Sequence, residues 1–333
     1  IELEDLLGRE PVVLDDAGLH RLLAGKTVLV TGAGGSIGSE LTRQIAKFAP
    51  RLLLLFEISE YALYQLEQEF AEKLPGIPIV CLVGDVRDVA RLDGIFSRYR
   101  PDIVFHAAAY KHVPLMEDEN AWEAVRNNVL GSLRLAICAR RWKASKFVMI
   151  STDKAVNPTN IMGATKRLSE MICQSMRSAA GSTAFITVRF GNVLGSNGSV
   201  IPKFREQIAK GGPVTVTHPE ITRYFMSIPE AAQLVMQSAL MGEGGEIFVL
   251  DMGMPIKIVD LAKDMIRLSG FSEQDVRIEF IGLRPGEKLY EELIAEGEQT
   301  LQTPHPKLRK ARLSNVPDES WLNELETWLL QGD

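Results

Sequence analysis

The segment 27–46 constrains the fold more than any other part of the sequence. A short apolar run leads into the glycine-rich turn Thr31–Gly38, and Ile37, Leu41 and Ile45 recur at the spacing of one helix face. Glycines between a strand and a helix let a pyrophosphate approach the main-chain N–H groups at the helix N-terminus. The motif alone also fits a plain strand-to-helix turn, but its context predicts a dinucleotide-binding Rossmann domain.

Two later strand ends support a dinucleotide site and favour NAD over NADP. One apolar run ends at Glu57, nineteen residues after Gly38, where a carboxylate suits a ribose 2′-hydroxyl and repels a 2′-phosphate. Another run ends shortly before Asp85, which we expect to hold the adenine amine, to cap the next helix, or both. The residues of these segments that are predicted to contact the cofactor are Gly32, Gly35, Ser36, Ile37, Gly38, Glu57, Asp85 and Val86.

The order of the apolar runs predicts an α/β fold of the Rossmann type, a doubly wound parallel sheet with a smaller C-terminal substrate-binding lobe. We expect a lead-in segment at 1–25, the NAD-binding domain at 26–190, and mainly the substrate lobe at 191–333, with some segments returning to the sheet. The second part is too rich in short elements to make a separate large core, and 318–330 is expected to be a closing amphipathic helix. Strands are predicted near 27–31, 51–56, 78–83, 102–106, 146–151 and 184–190.

Composition and charge argue against several classes of protein. The chain has 333 residues and a net charge of −6, which gives no electrostatic reason to expect nucleic-acid binding. No apolar run approaches the ~20 residues of a membrane span. Cys81, Cys138 and Cys173 lack metal-ligand spacing, which indicates reduced cysteines in a cytoplasmic protein without a bound metal. Because the first residue is Ile1 rather than Met, we expect the chain to be part of a longer or processed protein.

The stretch that follows the fifth predicted strand carries the strongest indication of chemistry. Thr152, Asp153 and Lys154 close an apolar run, and Met162 and Lys166 share one face of the next helix at a spacing of four. Short-chain dehydrogenases usually carry Tyr-x-x-x-Lys at that helical pair, and a thioether in place of the phenol can neither give nor take a proton. The acid–base work is therefore assigned to the carboxylate and the amine at the strand end, although an exposed ion pair in a turn is the alternative.

A set of segments, taken together, carries a family resemblance: Thr31–Gly38, Phe105–Pro114, Asn127–Val129, Ser151–Lys166, Arg189–Gly195 and Gly282–Lys288. Through them the chain resembles an extended short-chain dehydrogenase/reductase over residues 26 to about 295. More closely, it resembles the bacterial UDP-N-acetylglucosamine 4,6-dehydratases of the large membrane-associated type. Most sugar-nucleotide 4,6-dehydratases have Thr-Asp-Glu at the strand end and Tyr on the helix. Lys154 and Met162 depart from that pattern, and the membrane-associated subgroup shares both departures.

This resemblance implies an NAD-dependent hydro-lyase. It would convert UDP-N-acetylglucosamine to a UDP-4-keto-6-deoxy-N-acetylhexosamine for bacterial surface polysaccharide or glycan synthesis, such as that of lipopolysaccharide O-antigen. NAD would be tightly bound and recycled, and Ala107, Ala108 and Lys166 would complete its site.

The chemistry of such a dehydration assigns roles to the strand-end residues. Once C4 is a ketone, the proton on C5 becomes acidic, and Lys154 in its neutral form would remove it. Asp153 would receive the proton of the 4-hydroxyl, directly or through Thr152 or a water, and deliver it to the departing O6. Met162 would fill space, and Lys166 would hold the nicotinamide ribose. The predicted catalytic set is Thr152, Asp153, Lys154, Met162 and Lys166.

The expected substrate contacts lie mainly after residue 190. Asn192, Arg223 and Arg284 are candidates for the UDP diphosphate, because arginine can bind two oxygens at once and asparagine can donate. A surface ion pair is the alternative for each arginine. Lys111 and its neighbour His112 fit either a ligand contact or a solvated loop. With residues expected to frame the uracil, the predicted set is Lys111, Asn192, Val200, Lys203, Thr215, Arg223 and Arg284.

Two other functions stay open on the sequence. A UDP-sugar 4-epimerase would use the same fold and cofactor, but it needs no C5 base, so Lys154 argues against it. A non-catalytic NAD-binding module would explain the missing tyrosine and would turn over no sugar nucleotide.

The expected partners are a UDP-sugar and further copies of the chain. A homo-oligomer, a dimer or higher, is predicted to pair through helices near 88–98 or 117–140 and near 159–178. No contact with nucleic acid and no direct membrane contact is expected for this part of the protein. We expect a cytoplasmic location, and the resemblance implies that the full-length protein is anchored to the inner membrane.

Overall fold

A nine-stranded sheet forms the centre of the protein in the computed structural model, which describes residues 3–177, 182–296, 298–313 and 315–332. Its strand order is β14-β15-β11-β6-β5-β4-β1-β2-β3. All neighbouring strands from β3 to β11 pair in parallel. At the other edge, β15 pairs antiparallel with β11 on one side and with β14 on the other. The strands of this sheet are β1 (Thr27–Thr31), β2 (Leu52–Glu57), β3 (Ile79–Val83), β4 (Ile103–His106), β5 (Lys146–Thr152), β6 (Ala184–Phe190), β11 (Ile247–Leu250), β14 (Gln299–Gln302) and β15 (Leu308–Arg312).

Helices cover both faces of the sheet, so the predicted doubly wound α/β fold is confirmed. Parallel strands packed on both faces are continuously apolar, and every residue of β1 and of β4 is buried. One face packs against α1, α2, α3 and α9, and the other against α4, α6, α7 and α11. The helices are α1 (Asp16–Leu23), α2 (Ser36–Ala46), α3 (Glu60–Lys73), α4 (Val89–Tyr99), α5 (Ala121–Ala124), α6 (Gly131–Arg141), α7 (Ile161–Ser175), α8 (Val200–Ala209), α9 (Ile228–Met241), α10 (Ile258–Leu268) and α11 (Glu319–Gln331). No helix in the described ranges is long and apolar enough to cross a membrane.

The segment after β6 builds a small lobe with an apolar cluster of its own. Phe204 and Ile208 of α8 pack there with Leu261 and Ile266 of α10. This cluster is much smaller than the two that flank the sheet, so short elements joined by glycine and proline enclose a core of their own, but not a large one. The short strands pair as β7 (Asn192–Val193) with β10 (Phe225–Met226), β9 (Thr222–Arg223) with β12 (Ile256–Lys257), and β8 (Val214–Val216) with β13 (Ile278–Phe280).

The segment predicted as a lead-in is part of the folded core. Leu19 and Leu23 of α1 are fully buried against α9. Ahead of α1, Arg9 forms an ion pair with Glu230 at 2.8 Å between Nε and Oε2. The first residues are thus tied to the body of the domain rather than leading into it.

The closing helix α11 packs on the face that we predicted for subunit pairing. Its leucines join the core beside α6 and α7, and Trp328 meets Trp122 edge-on at 5.4 Å between ring centroids. The chain itself therefore covers part of the helix surface assigned to a second copy, and oligomerisation stays a prediction. Residue 178 of the predicted 159–178 helix lies outside the described residues.

Candidate active site

The glycine turn between β1 and α2 tolerates no side chains at two of its positions. Gly32 has φ +64°, and a Cβ there would lie 2.7 Å from the main chain of Ala107 and Ala108. A Cβ on Gly38 would lie 2.0 Å from the carbonyl oxygen of Gly32. No side chain caps the first turn of α2. The turn therefore presents main-chain N–H groups at the N-terminus of a helix. This is the geometry that binds phosphate groups.

Most of the predicted cofactor residues line one cleft at the carboxyl ends of β1 to β4. Ser36 lies in the adjoining cleft, where its Oγ accepts from the main chain of Asn197 at 3.2 Å. The side chain of Ile37 packs on the core, so only its main chain is available to a ligand. The cleft is lined by Gly32, Gly35, Phe56, Glu57, Ile58, Gly84, Asp85, Val86, Ala107, Ala108, Ala109, Tyr110 and Asn127.

The two acidic strand-end residues of the cleft are held in different ways. Glu57 accepts from the main-chain N–H of Gly34 at 3.0 Å and of Ser59 at 2.9 Å. Asp85 accepts from the guanidinium of Arg87 at 2.7 Å. Burial would raise the pKa of Asp85, but the hydrogen bonds and charge of Arg87 outweigh it and hold that pKa below its usual value. The suggestion that Asp85 caps the next helix is wrong, because Asp88 caps α4.

A buried polar network supports the floor of the cleft. His106 lies between Thr31 Oγ1, 2.7 Å from Nδ1, and Ser132 Oγ, 2.9 Å from Nε2. Burial, and then the charge of Lys166, lower the pKa of His106 to about 3. The ring is therefore neutral at physiological pH and has a packing role beside the cleft.

Asn128 fixes the loop that follows β4, a role that the sequence analysis missed. Its Oδ1 accepts from Tyr110 N at 2.8 Å, and its Nδ2 donates to Tyr110 O at 3.0 Å and to Thr165 Oγ1 at 3.0 Å. The side chain thus joins the cleft loop to α7. The signal in the sequence was an asparagine pair, 127–128, directly before apolar residues. The sequence alone does not show that Asn128 is fully buried or which strands and helices surround it.

The strand-end residues form a buried cluster rather than an exposed ion pair. β5 ends at Thr152, and a 3-10 turn then places Asp153 out of contact with solvent, at 0% exposure. Lys154 Nζ lies 3.2 Å from Asp153 Oδ1 and 3.0 Å from Asn192 Oδ1. Thr152 Oγ1 donates to Asp153 Oδ1 at 3.2 Å. Asp153 Oδ2 is buried and lacks a hydrogen-bond partner among the residues that the structure describes.

Helix α7, which carries Met162 and Lys166, packs closely on the turn at residues 152–155, called the catalytic turn after its predicted role. A Cβ on Gly163 would lie 2.2 Å from the carbonyl oxygen of Lys154, and both Met162 and Lys166 are buried. Met162 packs in a small apolar cluster. Burial lowers the pKa of Lys166 to about 8, and the nearby Glu170 opposes that shift. Lys166 can therefore lose its proton far more easily than an exposed lysine.

A fully buried ion pair holds α7 to the sheet, and the sequence analysis did not predict it. Arg189 on β6 donates to Glu170 on α7, at 2.8 Å from Nη2 and 3.1 Å from Nε. Ser151 also donates to Glu170 at 3.1 Å, and Arg189 donates to the carbonyl oxygen of Leu293 at 3.1 Å. This network ties the strand before the catalytic turn, α7 and the segment after residue 290 together.

The structure brings only some of the predicted substrate residues to the catalytic turn. Asn192 contacts Lys154, as described above. Lys111 lies within electrostatic range of Lys154, and partial burial followed by that charge lowers the pKa of Lys111. Arg284 is half exposed and pairs with Glu287 at 2.7 Å. The ring of His112 packs against the loop that precedes α8.

The remaining predicted substrate residues are engaged elsewhere or lie on the lobe. Arg223 donates to the carbonyl oxygens of Lys288 at 2.8 Å and Thr222 at 2.7 Å. A contact with a diphosphate stays a prediction, because the side chain is buried and these main-chain oxygens already engage part of its guanidinium. Thr215 exchanges two hydrogen bonds with Gln207. Val200 and Lys203 belong to the first turn of α8.

The fold and the cleft define a class: a Rossmann-type protein with a doubly wound, mostly parallel sheet and a second, smaller lobe. The profile of the polysaccharide biosynthesis protein family matches residues 28–313. The chain therefore belongs to the polysaccharide biosynthesis protein family.

Curated relatives of known name agree with this assignment. The chain is 55% identical over 95% of its length to the capsular polysaccharide biosynthesis protein CapD of Staphylococcus aureus, and 50% identical over 96% to the probable polysaccharide biosynthesis protein EpsC of Bacillus subtilis. It spans about half of each relative, 53% in both cases. A UDP-glucose 4-epimerase of Rickettsia massiliae is 34% identical over 83% of the chain and 80% of that protein.

Solved structures share the fold. Pen from Bacillus thuringiensis superposes with a TM-score of 0.79 at 34% identity, over 89% of each chain. The dTDP-glucose 4,6-dehydratase DesIV from Streptomyces venezuelae, solved with NAD and TYD bound, superposes with a TM-score of 0.72 over 91% of this chain and 98% of that one. At 20% identity, this similarity shows a shared fold and nothing more.

Proposed function

We propose that the protein is an NAD-dependent 4,6-dehydratase of UDP-N-acetylglucosamine. Its product would be a UDP-4-keto-6-deoxy-N-acetylhexosamine for bacterial surface polysaccharide or glycan synthesis. The observation that carries the proposal is the Asp153–Lys154 pair at the end of β5, which joins a fully buried carboxyl group to an amine that is only 18% exposed. Met162 stands beside it where an ionisable phenol would otherwise supply the acid–base group.

The cleft fits NAD. The turn at Gly32 and Gly38 leaves room for a pyrophosphate on main-chain N–H groups, since a Cβ at either position would clash with main-chain atoms. Glu57 supplies a carboxylate where an adenosine ribose would lie. Lys166 lies on α7, the helix that packs against the catalytic turn. When bound, NAD would accept a hydride from C4 of the sugar and return it at C6.

The residues of the chain would handle the protons. Asp153, helped by Thr152, accepts the proton of the 4-hydroxyl. The amine of Lys154 then removes the C5 proton, the C5–H electron pair forms the C5–C6 double bond, and the C6–O6 bond breaks. Asp153 gives its proton to O6, which leaves as water, and Lys154 returns a proton to C5. Asn192 orients the Lys154 amine through the 3.0 Å contact between Lys154 Nζ and Asn192 Oδ1.

A UDP-sugar 4-epimerase is the second candidate. The Rickettsia massiliae relative at 34% identity favours it. Epimerisation requires no base at C5, so it leaves Lys154 without a task beside the buried Asp153. The dehydratase is preferred for that reason.

Incubation of the purified protein with UDP-N-acetylglucosamine and NAD, followed by mass analysis, tests the proposal. A dehydratase gives a product lighter by one water. A product of unchanged mass that is the 4-epimer would establish the epimerase instead. No conversion of any UDP-sugar, with NAD bound, would indicate a non-catalytic NAD-binding module.

The proposal extends to the setting of the enzyme. We propose a cytoplasmic site of action, a UDP-sugar as the small-molecule partner and a homo-oligomeric assembly. Because the chain spans about half of its curated relatives, anchoring of the full-length protein to the inner membrane is likewise a proposal.

A further inference from the structure

Residues 286–291 form a strap between the small lobe and the catalytic turn. Two neighbouring side chains of this strap lie on opposite sides of it. Lys288 Nζ donates to the carbonyl oxygen of Val156 at 2.7 Å, directly after the catalytic turn. The side chain of Leu289 packs on the apolar cluster of the small lobe. The strap therefore contacts both the lobe and the segment that carries the Asp153–Lys154 pair.

Main-chain hydrogen bonds fix the strap to the small lobe. Arg223 Nη2 donates to the carbonyl oxygen of Lys288 at 2.8 Å, and Thr222 N donates to that of Leu289 at 3.2 Å. Arg223 and Thr222 form β9, which pairs with β12 in the lobe. Because these bonds engage the main chain on either side of the Lys288 side chain, the position of that side chain follows the position of the lobe.

The strap also holds the start of α7. Residues 156–160 join the catalytic turn to this helix, and the carbonyl oxygen of Gly286 accepts from Thr159 Oγ1 and Asn160 Nδ2, each at 3.1 Å. Gly286 has φ +75°, and a Cβ there would lie 2.7 Å from the Cβ of Asn160. A residue without a side chain is what lets the strap approach this closely. Lys288 and Gly286 thus hold the two ends of the linker between the catalytic turn and α7.

The amine of Lys288 has a specific partner rather than a surface ion pair. Its side chain is only 12% exposed, and the carboxylate of Glu292 is half exposed and 4.0 Å from Nζ. An ion pair of that kind contributes little. A nearly buried ammonium group is costly unless it is hydrogen-bonded, and the bond to the carbonyl oxygen of Val156 meets that need. An apolar side chain of similar length would serve if Lys288 only filled space.

We propose that Lys288 is a positioning residue that holds the catalytic turn in place against the small lobe. The turn that carries Asp153 and Lys154 then keeps a fixed position relative to a sugar nucleotide bound on the lobe. This inference rests on the proposed dehydration, and Lys288 acts through the turn rather than as an acid or a base. Since a misplacement of ~1 Å can slow a reaction about a hundredfold, loss of the bond is expected to lower the rate rather than the affinity for either ligand.

Steady-state kinetics with UDP-N-acetylglucosamine compare Lys288→Met, Lys288→Arg and the matched control Lys210→Met, whose side chain is 70% exposed on the small lobe. Lys288→Met keeps the length but removes the donor, so kcat should fall roughly ten- to a hundredfold, while KM and NAD affinity stay at their wild-type values. Lys288→Arg retains a donor and should recover most of the rate, and Lys210→Met should behave as the wild type.

Two kinetic results would overturn the positioning role. One is a wild-type kcat in Lys288→Met. The other is a loss of NAD affinity and a rise in KM that accompany the fall in kcat, because this pattern indicates a general loss of structure.

Hydrogen–deuterium exchange of the protein without substrate needs no turnover, so it separates failure of this inference from failure of the proposed function. Main-chain amides of residues 153–164 should exchange roughly tenfold faster in Lys288→Met, the factor expected for loss of one hydrogen bond from a charged donor. Exchange of the glycine turn, 31–38, should not change, and Lys288→Arg should match the wild type.

Unchanged exchange at 153–164 in Lys288→Met would reject the positioning role even if the enzyme is a dehydratase. Faster exchange confined to that segment, in a protein that dehydrates no sugar nucleotide, would support the hold of Lys288 on the turn and reject the proposed function alone.

Discussion

The glycine turn and the catalytic turn lie at the same edge of the sheet, but they are specified in different ways. The glycine turn is defined by main-chain geometry over eight consecutive residues, 31–38, and its shape depends on the absence of side chains. The catalytic turn is defined by side chains drawn from distant segments: Asn192 meets Lys154, and Lys288 holds Val156. The first region is therefore readable from local sequence, whereas the second depends on the complete fold.

The largest expected effect on cofactor binding tests whether the glycine turn must remain free of side chains. Gly32→Ala places a Cβ 2.7 Å from the Ala107 main chain at φ +64°, and a left-handed backbone alone costs a non-glycine residue ~1–2 kcal/mol. We expect NAD affinity to fall at least about tenfold, since ~1.4 kcal/mol corresponds to a factor of ten. Isothermal titration calorimetry with NAD measures the change.

The matched control is Gly94→Ala on α4, where an added Cβ meets nothing within 4 Å. It should bind NAD as the wild type does and be slightly more stable, because alanine favours a helix over glycine by roughly 0.5–1 kcal/mol. Equal loss of NAD affinity in both variants would show that the loss does not come from the geometry of the glycine turn.

Cofactor choice is expected to depend on one side chain of the same cleft. Glu57→Gln keeps an acceptor for the N–H of Gly34 but removes the negative charge. Two unit charges ~4 Å apart interact by about 1–4 kcal/mol between bulk water and a protein surface. The ratio of NADP to NAD affinity should therefore rise at least about fivefold in Glu57→Gln. Glu60→Gln, an exposed change on the same segment, should leave the ratio as it is, and an unchanged ratio in both variants would remove Glu57 from cofactor selection.

The smallest expected effect tests whether Met162 only fills space on the helix that packs against the catalytic turn. Met162→Leu conserves volume in a buried apolar cluster, and such exchanges usually cost less than about 1.5 kcal/mol. We expect a modest fall in kcat with NAD binding retained, as steady-state kinetics would measure. A loss near ten-thousandfold, the upper end for an acid–base group, would give the thioether a role that space filling does not explain.

Met162→Tyr restores the residue usual in short-chain dehydrogenases. Because the site is built around Lys154, we expect no gain in rate from the added phenol. A large gain would mean that the site is a weakened form of the tyrosine mechanism, and that Asp153 does not normally handle the proton of the 4-hydroxyl.

Much of the fold could be predicted, because its signals are local. All six predicted strands lie within one residue of the observed β1 to β6, since parallel strands buried on both faces read as continuous apolar runs. The closing helix at 319–331 was also predicted from its periodicity. Its packing beside α6 and α7, and the contact of Trp328 with Trp122 on α5, were not, because periodicity shows that a face is apolar but not what covers it.

The candidate site was only partly predictable, for a related reason. Asp153, Lys154 and Met162 stand in one short stretch whose residue types indicate chemistry. Lys288 lies far along the chain, on the strap of residues 286–291, and only the fold brings its amine to the carbonyl oxygen of Val156 beside the catalytic turn. Arg223 suited a diphosphate by residue type, yet the structure engages its guanidinium with main-chain carbonyl groups of that strap.

Turnover of UDP-N-acetylglucosamine in deuterium oxide tests the central claim, that Lys154 is the base that acts at C5. Product from the wild type should be lighter by one water and carry solvent deuterium at C5, as mass analysis and proton NMR would show. Lys154→Ala should bind NAD normally but lose C5 exchange and dehydration by at least about a hundredfold. Lys210→Ala, whose side chain is 70% exposed on the small lobe, should behave as the wild type. Dehydrated product with C5 deuterium formed by Lys154→Ala at the wild-type rate would contradict the account.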